Sequence, residues 1–133
     1  MDIQTIALIV PLATTHVGGN YDFNNHNPGL GIELSTDSIA YSALYLKSNS
    51  FRRDSVYLAG SYLIKKDNFT YSFGLALANG YEELYKSGYL MTPVVSIQYK
   101  DFRIVTTYPT AGIACQSGDV CGDFINLQYV YEF

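Results

Sequence analysis

The segment Ile125-Asn126-Leu127-Gln128-Tyr129-Val130-Tyr131-Glu132-Phe133 decides the fold. Ile125, Leu127, Tyr129, Tyr131 and Phe133 make one unbroken apolar and aromatic face, while Asn126, Gln128 and Glu132 dominate the other. A period of two means a strand. The apolar face continues to the aromatic at position 133, where a strand end in water would more often turn polar. The internal segment Phe69–Ala78 shows what such a face meets. Phe69, Tyr71, Phe73, Leu75 and Leu77 are all large and apolar, whereas Thr70, Ser72, Gly74, Ala76 and Ala78 are all small and uncharged. A soluble sandwich would turn the large residues inward and place charges outward. Small residues inside and bulky apolar ones outside suit a narrow barrel in lipid.

Composition agrees with that reading. The 133 residues make one domain, and charged residues are only 15% of it, against about a quarter in an average globular chain. Much of the outer surface is therefore expected to face something other than water. Thirteen Tyr and seven Phe, with no Trp, suit strands and membrane interfaces alike. A net charge of −4 without a basic stripe excludes nucleic acid as an expected partner. No apolar run approaches the length of a transmembrane helix, so any crossing falls to strands. Met1 to Val10 lacks the charged start of a signal peptide. Either a signal has been removed or the protein is not exported, and the residues leave both open.

The rest of the chain divides into strands and connections. A first strand is expected over Ile3 to His16, with Ile6, Leu8, Val10 and Leu12 on its apolar face and a bulge or break at Pro11. After an Asn- and Gly-rich loop, strand two covers Gly29 to Ser35. Strand three covers Ser38 to Lys47, with Ile39, Tyr41, Ala43 and Tyr45 sharing a face. Strand four carries Val56, Leu58, Tyr62 and Ile64, and strand five is Phe69 to Ala78. Val95, Ile97 and Tyr99 mark strand six; Phe102, Ile104, Thr106 and Tyr108 mark strand seven; strand eight starts near Phe124. Long and short connections alternate. The short ones, at Thr36-Asp37, Lys65 to Asn68 and Lys100-Asp101, share an end with both termini, giving an eight-stranded antiparallel up-and-down transmembrane β-barrel as a single domain over residues 1–133.

Two resemblances carry further expectations. The terminal strand resembles the C-terminal targeting strand of bacterial outer-membrane barrels, which implies recognition by the barrel assembly machinery through the Phe133 strand. Asn27-Pro28-Gly29-Leu30-Gly31-Ile32-Glu33, with Asn49-Ser50 followed by Arg53-Asp54-Ser55-Val56-Tyr57, resembles a family of small outer-membrane barrels of Gram-negative bacteria and their phages. That resemblance spans roughly residues 12 to 99 plus the last strand. It implies a bacterial outer-membrane location, with outer-membrane lipid and lipopolysaccharide as partners, and no defined activity. Lipid A deacylase barrels are more distantly similar. They imply His16 as general base and Glu33 as its orienter, but the nucleophile's position holds Gly18, which has nothing to attack with.

The expected function is therefore a barrel without catalysis of its own, interacting through its long loops. A lipid A-modifying acyl hydrolase is the first alternative. It would need Thr14, Ser35 or Ser55 within reach of His16. A soluble lipocalin-like carrier, with the large residues turned inward, is the second. Glu33 is expected to pair with Arg103 in the lumen, with Gln128 and Glu132 extending the network; the interior of such a barrel is filled by side chains and leaves no pore. Arg52 and Arg53 are either solvated loop charges or contacts for lipopolysaccharide phosphate. Cys115 and Cys121 read as a disulfide pinning a loop, with two free thiols as the alternative. His16 and His26 have no ligand spacing with them, so neither a metal nor a cofactor is expected.

Overall fold

A computed structural model describes residues 3–17, 23–82, 86–107 and 123–133. It is a closed, eight-stranded antiparallel barrel in which each strand pairs with the next and β8 returns to β1. The strands are β1 (Thr5–Val17), β2 (Gly29–Ser35), β3 (Ile39–Leu46), β4 (Ser55–Lys66), β5 (Phe69–Ala78), β6 (Leu90–Tyr99), β7 (Phe102–Thr106) and β8 (Asp123–Glu132). Closure removes the unpaired edges that an open sheet of these apolar strands would present.

The alternation in the sequence becomes an inside and an outside. Outward positions carry Leu30, Ile32, Leu58, Tyr62, Phe73, Leu75 and Ile104, all exposed, while Ala7, Ala40, Ala76 and Ala78 are buried. Every residue of β5 follows that rule: its large side chains are exposed and its small ones are turned in. Towards the short turns the outer wall becomes aromatic. Tyr62 stacks on Phe73, Phe69 meets both Tyr71 and Tyr99, Phe102 meets Tyr129, and Tyr131 meets Phe133. Lys100 lies 5.4 Å from the Tyr99 ring, just past this belt.

Two details of register bear on function. In β1 the pairing with β8 shifts between Pro11 and Ala13, leaving Leu12 as an extra residue. Such a bulge reverses which positions face inward. Before it, Ala7 and Ile9 are buried against the interior; after it, Thr14 lines the lumen and His16 pairs across with Phe124. The second detail is Gly31 in β2, where a Cβ would lie 2.8 Å from the Ala43 carbonyl and 2.9 Å from Leu44 Cδ1. Its absence lets the Leu44 side chain fill the lumen.

Strand six begins at Leu90, ahead of the segment marked by Val95, Ile97 and Tyr99. Pro93 obscures this start in the sequence because proline usually excludes a strand interior. It is tolerated here: the described β6–β7 ladder covers Val95 to Tyr99, and Pro93 lies beyond it. Cys115, Cys121 and Gly18 fall outside the described residues, as does the expected loop disulfide.

Candidate functional site: a Ser-His-Asn cluster at the loop end

The bulge brings His16 to the inner rim of the long-loop end, where two loops close on it. His16 Nδ1 is 2.5 Å from Asn25 Oδ1, and Nε2 is 2.6 Å from Ser50 Oγ. The imidazole stacks on Phe23 at 4.6 Å between ring centroids and 11° between planes. With Asn25 Oδ1 accepting, the ring proton sits on Nδ1, and Nε2 is left to accept from the Ser50 hydroxyl. This is the order nucleophile, base, orienter.

Asparagines hold the loops in place. Asn49 is fully buried; its Oδ1 accepts from the Phe51 N–H at 2.8 Å and the Arg53 N–H at 3.1 Å, and its Nδ2 donates to the Gly80 carbonyl at 2.8 Å. That fixes the backbone on both sides of Ser50. The Asn24 N–H donates to the Ser50 carbonyl at 2.9 Å, and Asn24 Nδ2 reaches Ser48 Oγ at 2.8 Å. Asn27 Nδ2 donates to the Ser48 carbonyl at 2.6 Å. Beneath this polar layer an aromatic series runs from Phe23 to Phe51 to Tyr81 to Tyr57, edge to face at 5.7 to 6.1 Å. Phe51, Ala78, Tyr81 and Leu90 form the buried apolar cluster under the loops. Rings in these arrangements add stiffness beyond the area they bury.

Ser50 lines an internal cavity of about 110 Å³ that continues down the barrel. At its lower end Arg103 donates from both terminal nitrogens to the two oxygens of Glu33, each at 2.8 Å, and from Nε and Nη2 to Gln98 Oε1 at 3.2 and 2.8 Å. Both charged side chains are 12% exposed. A bidentate pair with its remaining donors engaged is the form in which buried charges are tolerated. Its acceptor Gln98 lies directly across the ladder from Arg103, a pairing that appears once the turn at Lys100-Asp101 fixes the register.

The residues singled out in the sequence therefore separate. Glu33 meets Arg103, but it does not orient His16; that role falls to Asn25. Thr14 Oγ1 accepts from Asn126 Nδ2 at 2.8 Å, Ser55 hydrogen-bonds the Asn79 carbonyl, and Ser35 ends β2 at the short-turn side. None of the three is the hydroxyl at His16. Gln128 is buried and lines the cavity, whereas Glu132 is exposed at the lower rim. Arg53 Nε lies 3.4 Å from Glu82 Oε2 in a half-exposed pair, and Arg52 is exposed with φ of 63°. Ser50 was visible as part of the Asn49-Ser50 motif. Its chemistry was hidden because its partner is 34 residues away, on a strand whose facing is reversed by the bulge.

No protein-family model matches the chain, and no curated protein matches it.

Proposed function

We propose that this barrel sits in a bacterial outer membrane and cleaves acyl esters of membrane lipid at its loop end, with Ser50 as nucleophile, His16 as general base and Asn25 as the group that orients the base. The observation that carries the catalytic reading is the hydrogen-bonded series Ser50 Oγ, His16 Nε2, His16 Nδ1, Asn25 Oδ1, at 2.6 and 2.5 Å. A neutral amide in the third place is a known variant of the nucleophile–histidine design. The membrane reading is supported by the outer wall: among the described residues its outward positions carry no charge between Ile64 and the loop end, and its lower margin is aromatic. The distant resemblance to lipid A deacylases makes lipid A the first substrate to test. Here the nucleophile comes from a different loop than in those enzymes.

The chemistry balances without a further group. Ser50 Oγ attacks the ester carbonyl carbon while its proton passes to His16 Nε2. The tetrahedral adduct collapses, the bond to the leaving alcohol breaks, and His16 returns the proton to that alcohol. Water then attacks the acyl-Ser50 carbonyl, giving its proton to His16; the Ser50 Oγ–acyl bond breaks and Oγ regains the proton. General-base assistance of this kind contributes about 10²–10⁴-fold.

The test uses the refolded barrel in detergent micelles with p-nitrophenyl dodecanoate and with purified lipid A. A heat-modifiable gel band and a burst of nitrophenol equal to the enzyme concentration are expected, and Ser50→Ala should lower turnover by about 10³-fold or more while keeping the heat-modifiable band. Turnover surviving in Ser50→Ala would remove Ser50 from the mechanism. Folding to a monodisperse monomer without detergent would overturn the membrane reading. In that case the non-catalytic alternative, loops binding lipopolysaccharide phosphate through Arg52 and Arg53, would lose its membrane context as well.

A further inference from the structure

The lumen beneath Ser50 mixes polar and apolar side chains on every wall. On the β3–β5 side the polar groups are the small hydroxyls of Ser42, Ser61, Thr70 and Ser72; on the β1, β7 and β8 side they are the larger Asn126, Gln128 and Arg103, with Thr14. This second side is built in steps. Gln98, Arg103 and Gln128 lie in one cross-strand row, Val105, Asn126 and Thr14 in the next, and Phe124 and His16 in the row above. Successive rows are two residues apart, so Asn126 lies roughly 7 Å and Gln128 roughly 13 Å below the level of His16 along β8.

Among the described residues, two acceptors on this wall have no partner: Asn126 Oδ1 and Gln128 Oε1. Both residues are more than nine-tenths buried, at 7% and 6% exposure, and both line the cavity. The Asn126 amide cannot turn to relieve this. Its Nδ2 is held by the Ala13 carbonyl at 3.1 Å and by Thr14 Oγ1 at 2.8 Å, which leaves Oδ1 as the acceptor on show. A bare hydrocarbon chain in the lumen would leave both oxygens desolvated, at about 1–3 kcal/mol each. Water meets the need of both. A cavity of about 110 Å³ has room for three or four waters at ~30 Å³ each, and a short file of them spans the step between the two amides.

We infer that the lumen is a built water site, a short file seated on Gln128 and Asn126 that feeds the deacylating water up to Ser50 and His16, so that the acyl chain of the substrate lies outside it. The inference rests on the acyl-ester reading only for its second half. Occupancy by water follows from the unpartnered amides alone. Delivery adds that water, the second nucleophile of the reaction, reaches acyl-Ser50 from below while the ester arrives from the loop end. The enzyme is then a hydrolase by construction: the position from which the acyl group is attacked is reserved for a molecule small enough to occupy the file.

Two measurements on the barrel in micelles separate the halves. The first is water-selective NMR on the Ser50→Ala barrel, reading magnetisation transfer from water to the side-chain amide protons of Asn126 and Gln128. Transfer to both is expected, and transfer from detergent acyl chains in its place would overturn the inference whatever Ser50 does. The second is the burst assay with p-nitrophenyl dodecanoate on Gln128→Leu, which breaks no hydrogen bond described above, and on Asn126→Leu. The expected result is an unchanged burst followed by a steady state slowed about tenfold, with mass spectrometry finding the acyl group retained on Ser50. An unchanged steady state in Gln128→Leu with a native heat-modifiable band would overturn delivery. Loss of the burst in the unsubstituted protein would fail the acyl-ester reading, and the NMR arm would still decide occupancy.

Discussion

The two polar centres inside this barrel are built in opposite ways. Glu33, Arg103 and Gln98 all stand on strands, each facing the lumen because of its place in a regular ladder, and both Glu33 oxygens are engaged by Arg103. His16, Ser50 and Asn25 come from one strand end and two loops, and none of them is charged as they hydrogen-bond. The first centre is a pair of opposite charges that neutralise each other, and it ties β2 to β7 across the lumen. The second sets the Ser50 hydroxyl against a ring nitrogen, with no other hydrogen bond to Ser50 Oγ among the described residues. Full satisfaction makes a strut; a hydroxyl held against a ring nitrogen is what the proposed acyl transfer requires.

That contrast predicts which substitutions strike stability and which strike rate. The largest stability effect is expected at the strut. Glu33→Leu alone strands a buried guanidinium and should cost about 3–5 kcal/mol in urea unfolding from micelles, whereas Glu33→Leu with Arg103→Met should recover most of it. Ester turnover normalised to folded protein should be the same in the double variant and the parent. A large fall would show that the two centres are not independent. Next in size, Asn25→Leu should leave the urea midpoint nearly unmoved while lowering turnover on the order of 10²-fold, because the His16 tautomer is no longer fixed. Equal losses of stability and turnover would make Asn25 a loop tie instead. The smallest effect is a control on the wall between them. Gly31→Ala places a methyl 2.8 Å from the Ala43 carbonyl and 2.9 Å from Leu44, and it should cost about 1–3 kcal/mol with turnover unchanged.

The same contrast explains what could be read from the chain. Facing within a strand is a local property, so the large and small faces of Phe69–Ala78, the lumen side of Glu33 and Arg103, and the short turns all followed from spacing of two. The Ser-His-Asn cluster obeys no such spacing. Asn25 and Ser50 are 9 and 34 residues from His16, and they meet it only because Asn24, Asn27 and Asn49 hold the two loops together. Thr14, Ser35 and Ser55 were natural candidates for a hydroxyl because they stand on strands with known facing. The hydroxyl at His16 stands in a loop, where alternation carries no information. The expected bulge near Pro11 was legible, but its consequence for His16 required knowing that Leu12 is the residue passed over.

That extra residue gives the gene an arithmetic. Below Leu12 the reading of inside and outside in β1 is set by odd positions, above it by even ones, so the cluster depends on the parity of a count. Deleting the codon for Leu12 would join Pro11 and Ala13 in an unbroken ladder against Gln128 and Leu127 and leave Thr14 and His16 facing the lumen. Deleting two would turn the upper strand inside out and present His16 to the surroundings. Lineages of this barrel would therefore be expected to lose the bulge residue singly and keep the histidine, and to lose the histidine when a second residue goes.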